Sequence, residues 1–108
     1  MSRALVLTLA VPVALILLAI PLILEKIPRN PLYGFRTAYT MSSDEVWFRA
    51  NKISGIALLI AGLVWLCIGI LLPIVMPSMQ SAVKIVRLLG LASVIIALGA
   101  SFWLTYKR

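Results

Sequence analysis

Of the 108 residues, 63% are hydrophobic and 12% charged. Water-soluble domains are about half apolar and about a quarter charged. A solvated globule is therefore excluded, and the class is an integral membrane protein, a single domain by length. The net charge of +7 sits on residues that flank apolar runs and form no basic block. That pattern fits anionic headgroups and membrane orientation, and it argues against nucleic acid as a partner.

The first apolar run, Ala4 to Leu24, carries no charge. As a helix its 21 residues would span about 32 Å, enough for the hydrocarbon core. A secretory signal peptide would be shorter and end in small residues. Here Ile20, Pro21, Leu22 and Ile23 stand at that end, so the run is read as a retained span. Pro12 and Pro21 should kink it or end it early.

A polar segment follows, Pro28 to Lys52. It holds every acid of the chain except Glu25, and four of the ten basic residues. Pro28, Pro31 and Gly34 disfavour helix and stiffen its entry. Asn30 suits a turn. Ser42 and Glu45 have the spacing of a capping box, with Ser42 as N-cap. The predicted second helix runs from about Ser43 to Leu72, with Glu45 and Arg49 paired at i, i+4, and Pro73 kinking or stopping it.

The second apolar run is Ile53 to Met76 and the third Leu88 to Leu104, the latter a span of about 85–105 between Lys84 and Arg87 on one side and Lys107 and Arg108 on the other. The short link Pro77 to Arg87 makes the second and third spans an antiparallel hairpin. Trp103 and Tyr106, and Trp47 and Tyr39, suit interfacial belts. The predicted fold is an all-α, three-span membrane domain with a polar loop between helices 1 and 2.

Orientation follows from the basic residues. Lys26, Arg29, Arg36, Arg49, Lys52, Lys107 and Arg108 share one side; Arg3, Lys84 and Arg87 share the other. Seven against three places the loop and C-terminus in the cytoplasm and the N-terminus outside.

Two stripes of small residues are expected to pack helices together, within the chain or across a homodimer. Gly55, Gly62 and Gly69 recur every seven residues, and Ser93, Ala97 and Ser101 every four.

No span is expected to carry an ionisable residue in its interior, which disfavours coupled ion or proton transport. Small multidrug transporters, with four spans and an acid in the first, resemble this chain poorly. Catalysis is not expected either. There is no His, and Asp44 and Glu45 are sequence neighbours that point about 100° apart on a helix. Cys67 stands alone in an apolar run, without a disulfide or metal partner. No cofactor or metal is expected.

The recognition elements are therefore sought in the polar segment. Arg36 offers a planar fork for a carboxylate, a phosphate or a row of carbonyls. Trp47, Asn51 and Gly55 lie at i, i+4 and i+8 on one helix face. One economical arrangement has Asn30 and Asn51 tying a folded-back loop to the helix, with Trp47 as a lid.

The spacing P-x-N-x3-G-x-R-T-x2-T-x6-W-x3-N-x3-G is filled by Pro28, Asn30, Gly34, Arg36, Thr37, Thr40, Trp47, Asn51 and Gly55. It resembles the SdpI family of bacterial membrane proteins, as does the three-span layout. The resemblance implies a multi-pass protein of the bacterial inner membrane. It also implies immunity to a secreted, membrane-active peptide toxin, and signalling by capture of a soluble repressor at the membrane. Longer immunity proteins of the family carry additional spans before this domain, so this chain reads as a short form. The residues expected to bind a ligand or partner are Asn30, Tyr33, Gly34, Arg36, Thr37, Trp47 and Asn51; the competing reading is that the asparagines brace the loop. A small transporter, or an accessory subunit of a larger membrane complex, is the alternative function.

Overall fold

A computed structural model describes residues 3–30 and 32–106. Its three helices are α1 (Arg3–Ile23), α2 (Asp44–Val75) and α3 (Met79–Tyr106). Each is long and apolar enough to cross a membrane. Their outward faces fit hydrocarbon: Leu17, Ile95 and Ile96 are among the many large apolar side chains left uncovered. Helix α2 is the central element, with α1 and α3 packed against it and touching each other little. The molecule measures 51 × 24 × 18 Å, and the long dimension matches the ~48 Å expected of α2's 32 residues. About 20 residues cross the hydrocarbon, so the polar first turns of α2 stand in the interface.

Helix α1 continues through both prolines to Ile23. Pro12 is fully buried against α2, and the packing holds the helix where an isolated one would break. What ends α1 is a Schellman motif. Glu25 adopts the left-handed conformation (φ 59°). Its amide donates to Leu22 O at 3.2 Å and the Lys26 amide donates to Pro21 O at 3.0 Å.

Several expected boundaries move. The N-cap of α2 is Ser43, whose extended backbone places Oγ to accept from the Val46 amide at 3.2 Å. Ser42 lies outside the helix and donates to Tyr39 O. The capping box fails because the residue three after Ser43 is Val46, which has no side-chain acceptor. Arg49 does not reach for Glu45; it donates to the Tyr39 hydroxyl at 2.8 Å. Helix α2 passes Pro73 and ends at Val75. Helix α3 starts at Met79, six residues before the expected span, because Ser78 caps it: its Oγ accepts from the Ser81 amide at 3.3 Å, and its carbonyl from the Ala82 amide at 3.0 Å. The link shrinks to 76–78. Lys84 and Arg87, read as flanks, lie inside the helix.

The glycine stripe is used within the chain. A Cβ at Gly55 would sit 3.1 Å from Ala19 O, one at Gly62 3.1 Å from Pro12 O, and one at Gly69 2.2 Å from Leu9 Cδ2. All three face α1: at Gly55 and Gly62 backbone approaches backbone, and at Gly69 the space is taken by the Leu9 side chain. On α3, Ala97 and Ser101 are buried and Ser93 is half-buried. Their hydroxyls bond backward along the same helix, Ser93 to Gly90 O and Ser101 to Ala97 O, so the stripe supplies closeness and no interhelical hydrogen bond. Gly90 extends it: a Cβ there would fall 2.2 Å from Trp65 Cδ2. The α2 indole lies against α3 only because residue 90 has no side chain.

Candidate functional site

The polar loop folds back on the ends of all three helices. Asn30 organises its entry. Its Oδ1 accepts from the amides of Leu32 (2.9 Å) and Tyr33 (2.7 Å), and its Nδ2 donates to the carbonyls of Pro28 (2.8 Å) and Tyr33 (3.0 Å). These bonds are local, so Asn30 shapes the turn and does not tie it to α2.

The tie to α2 is made by Trp47 and Asn51, one helical turn apart. Trp47 Nε1 donates to Ile27 O at 2.8 Å. Asn51 Oδ1 accepts from the Phe35 amide at 2.6 Å, and its Nδ2 donates to Trp47 O at 2.9 Å. Trp47 is wholly buried, so it is a central post and not a lid. Buried polar groups must be paired, and here the two side chains satisfy two loop backbone groups. Gly34 lets the chain pass between them. Its φ is +115°, and a Cβ would stand 2.7 Å from Asn51 Oδ1 and 2.9 Å from Trp47 Cη2. The fixed spacing of Gly34, Trp47 and Asn51 thus has a steric reason.

The second half of the loop is a turn closed by two threonines. The Thr37 amide donates to Thr40 Oγ1 at 2.7 Å, and the Met41 amide to Thr37 O at 3.0 Å. Thr40 is fully buried. Thr37 Oγ1 also shares a hydrogen bond with the Tyr106 hydroxyl. An aromatic run continues from there: Tyr39 with Tyr106 (centroids 5.0 Å), Tyr106 with Phe102 (4.5 Å) and Phe102 with Phe35 (6.2 Å). Arg29 donates from Nη1 to Met41 O at 2.8 Å and pairs through Nε with Asp44 at 2.9 Å. Asp44 therefore closes the loop as well as starting α2. Tyr33 reaches α1, donating its hydroxyl to Leu18 O. Burial pushes that hydroxyl above its ordinary pKa.

Beneath this loop lies a cavity of about 450 Å³. Leu18 and Leu22 of α1, Leu58 of α2 and Leu98 of α3 form its walls; Tyr33 to Arg36 form its roof. Ser54 and Ser101 are its polar wall positions, and both hydroxyls are engaged by their own helices. Leu18, Leu98 and Phe102 are each about half exposed, at 54%, 50% and 54%, so the cavity opens sideways between α1 and α3. Arg36, exposed, stands at the edge of the roof. An apolar slot with a guanidinium at its rim suits an amphiphile: an apolar body below, and a carbonyl, carboxylate or phosphate above.

Of the sequence-predicted residues, Tyr33, Gly34 and Arg36 line the cavity. Asn30, Trp47 and Asn51 hold its roof from behind, and Thr37 latches the roof to α3. Phe35, Ser54, Leu58 and Phe102 were missed. Phe102 and Tyr106, at i, i+4 beside an aromatic-bearing loop, were the available signal. Among the described residues, no group of three or more His, Cys, Asp or Glu side chains comes together.

No curated protein and no solved structure matches the chain. A family model does, and the matched stretch contains the loop, α2 and α3, with α1 preceding it. By that match, over residues 26–106, the chain belongs to the SdpI/YfhL protein family, and it is a multi-pass membrane protein of the immunity and signalling type.

Proposed function

We propose that this protein binds a membrane-active peptide from within the bilayer, protecting the cell from it or relaying its presence, without catalysis. The observation that carries the reading is the cavity roofed by the family's own motif. Two signature residues, Gly34 and Arg36, line the lateral slot between α1 and α3, and Asn30, Thr37, Trp47 and Asn51 hold the loop that roofs it. An apolar peptide side chain fills the slot, and Arg36 meets a backbone carbonyl or an acidic group of the peptide at the interface. The loop is joined to α1, α2 and α3 by separate bonds, so an occupant that shifts the roof alters the cytoplasmic face presented to a soluble repressor. The orientation follows the seven-to-three excess of basic residues on the loop side, with the bacterial cytoplasmic membrane as the location.

Expression in a sensitive bacterium tests the reading. Survival against a panel of membrane-active secreted peptides should rise with the native chain. It should be lost with Arg36→Ala, and with Leu58→Trp, which fills the slot, at unchanged protein level in the membrane. No protection by the native chain across the panel, together with no change in repressor localisation, would overturn it.

A further inference from the structure

The opposite end of the molecule carries a second arrangement. Arg87 lies on the ninth residue of α3, about 12 Å along the axis from Met79. Its Nε donates to Thr8 Oγ1 of α1 at 2.9 Å, bridging the gap between the two helices. Cavities lie on both sides of this bridge, and Arg87 lines both. The outer one, about 480 Å³, is bordered by Ala4, Gln80 and Lys84. The inner one, about 250 Å³, is bordered by Leu7, Val11, Leu91 and Trp65. Trp65 is 3% exposed, and its indole nitrogen has no hydrogen-bond partner. A buried donor left unpaired is costly and marks a missing acceptor.

Among the described residues, Lys84 and Arg87 also lack a counter-charge. The three acids, Glu25, Asp44 and Glu45, are all at the loop end, where Asp44 already pairs with Arg29. What faces Arg87 from α1 is Leu7, Thr8 and Val11, and from α2 the indole of Trp65. A basic pair at the outer end, a neutral donor below it and apolar walls beyond match the order of a phospholipid: phosphate, ester carbonyl, acyl chain.

We propose that Lys84 and Arg87 hold the phosphate of one anionic phospholipid, that Trp65 Nε1 donates to its ester carbonyl, and that its acyl chain lies in the groove between α1 and α3. The bilayer supplies this lipid at high concentration, and each basic side chain near an anionic headgroup adds favourable energy. Arg87 is then a lipid-binding residue inside a helix, with the Thr8 bond fixing the plane of its guanidinium toward the groove.

Native mass spectrometry of the detergent-purified full chain, titrated with phosphatidylglycerol or phosphatidylcholine, tests the proposal. The native protein should retain phosphatidylglycerol preferentially. The preference should fall by about fivefold for each charge removed in Arg87→Gln and Lys84→Gln, and survive in Arg87→Lys. Trp65→Phe should weaken retention of both lipids without changing the preference, because the ester carbonyl is common to them. Lys26→Gln, at the loop end, should change neither. Lys84 is exposed, so its variant keeps the test available if Arg87→Gln does not fold. Equal retention of the two lipids by the native chain overturns the proposal. So does a loss in Lys26→Gln as large as in Lys84→Gln, which would reduce the effect to overall charge. Displacement of bound lipid by glycerol phosphate overturns it too, since the site would then hold phosphate without a chain.

Discussion

The side-chain oxygen of Asn51, on the second turn of α2, accepts from the backbone amide of Phe35 in the loop at 2.6 Å. Asn51 is 1% exposed, so no water replaces it. Asn51→Leu should leave the Phe35 amide unpaired and destabilise the loop by about 1–3 kcal/mol. Asn51→Asp should cost at least as much, because it keeps the acceptor but loses the donor to Trp47 O and buries a carboxylate there. Thermal unfolding in detergent and limited proteolysis within 28–43 would measure both. An unchanged proteolysis pattern in Asn51→Leu would refute the tie.

Gly34 and Gly99 make a matched comparison. At Gly34 a Cβ meets Asn51 and Trp47 below 3.0 Å on a backbone with φ +115°; at Gly99 it meets nothing within 4 Å. Gly34→Ala should destabilise by about 1–3 kcal/mol. Gly99→Ala should be neutral or stabilise by up to about 1 kcal/mol. The two melting temperatures should move apart, and a common shift would be inconsistent with this geometry.

Glu25 occupies a position that favours glycine. Its left-handed backbone (φ 59°) costs a non-glycine residue about 1–2 kcal/mol. Glu25→Gly should therefore raise the melting temperature, by relief of about 1 kcal/mol after glycine's greater chain entropy is subtracted. Glu25→Ala, which keeps a Cβ, should not. Equal effects of the two variants would assign the gain to charge removal instead.

Tyr33 gives the loop a response at high pH. Its folded-state pKa lies above the ordinary 10.0, because burial favours the neutral hydroxyl. The stability it contributes is fully present below pH 10 and is lost as pH rises through the folded value. Ionisation also removes the donor to Leu18 O. Stability measured by chemical denaturation should fall more steeply above pH 10 in the native chain than in Tyr33→Phe. Parallel curves would show that Tyr33 is not the group responsible.

The spans were legible because lipid imposes length and apolarity, and α1 to α3 meet both demands. The start of α3 was not. Lys84 and Arg87 mark where charge begins, whereas a helix begins where its amides are capped, and Ser78 does that six residues earlier. Between Ser42 and Ser43 the cap was ambiguous, since both precede an acidic first turn. In the loop, the residue types that do the bracing were visible as a spaced signature. Their partners were not, because Ile27 O, Leu18 O and the Phe35 amide are backbone groups, which leave no mark on the sequence. Asn30 and Asn51 looked alike for that reason, yet one folds a turn on itself and the other joins two elements. The cavity was invisible for a related cause: nothing in the sequence sets Leu58 and Leu98, which line it, apart from the other leucines of their spans.

The hydrogen bond between Thr37 and Tyr106 joins residues 69 positions apart, and its far end is the final turn of α3. A chain emerging from the ribosome can insert α1 and α2, bury Trp47 and close the turn at Asn30, while the aromatic run against Phe102 and Tyr106 is still unmade. The roof of the slot is thus finished last. A chain interrupted or clipped within α3 would sit in the membrane with its signature loop in place but unlatched, so a working slot also reports that α3 is intact to its last turn.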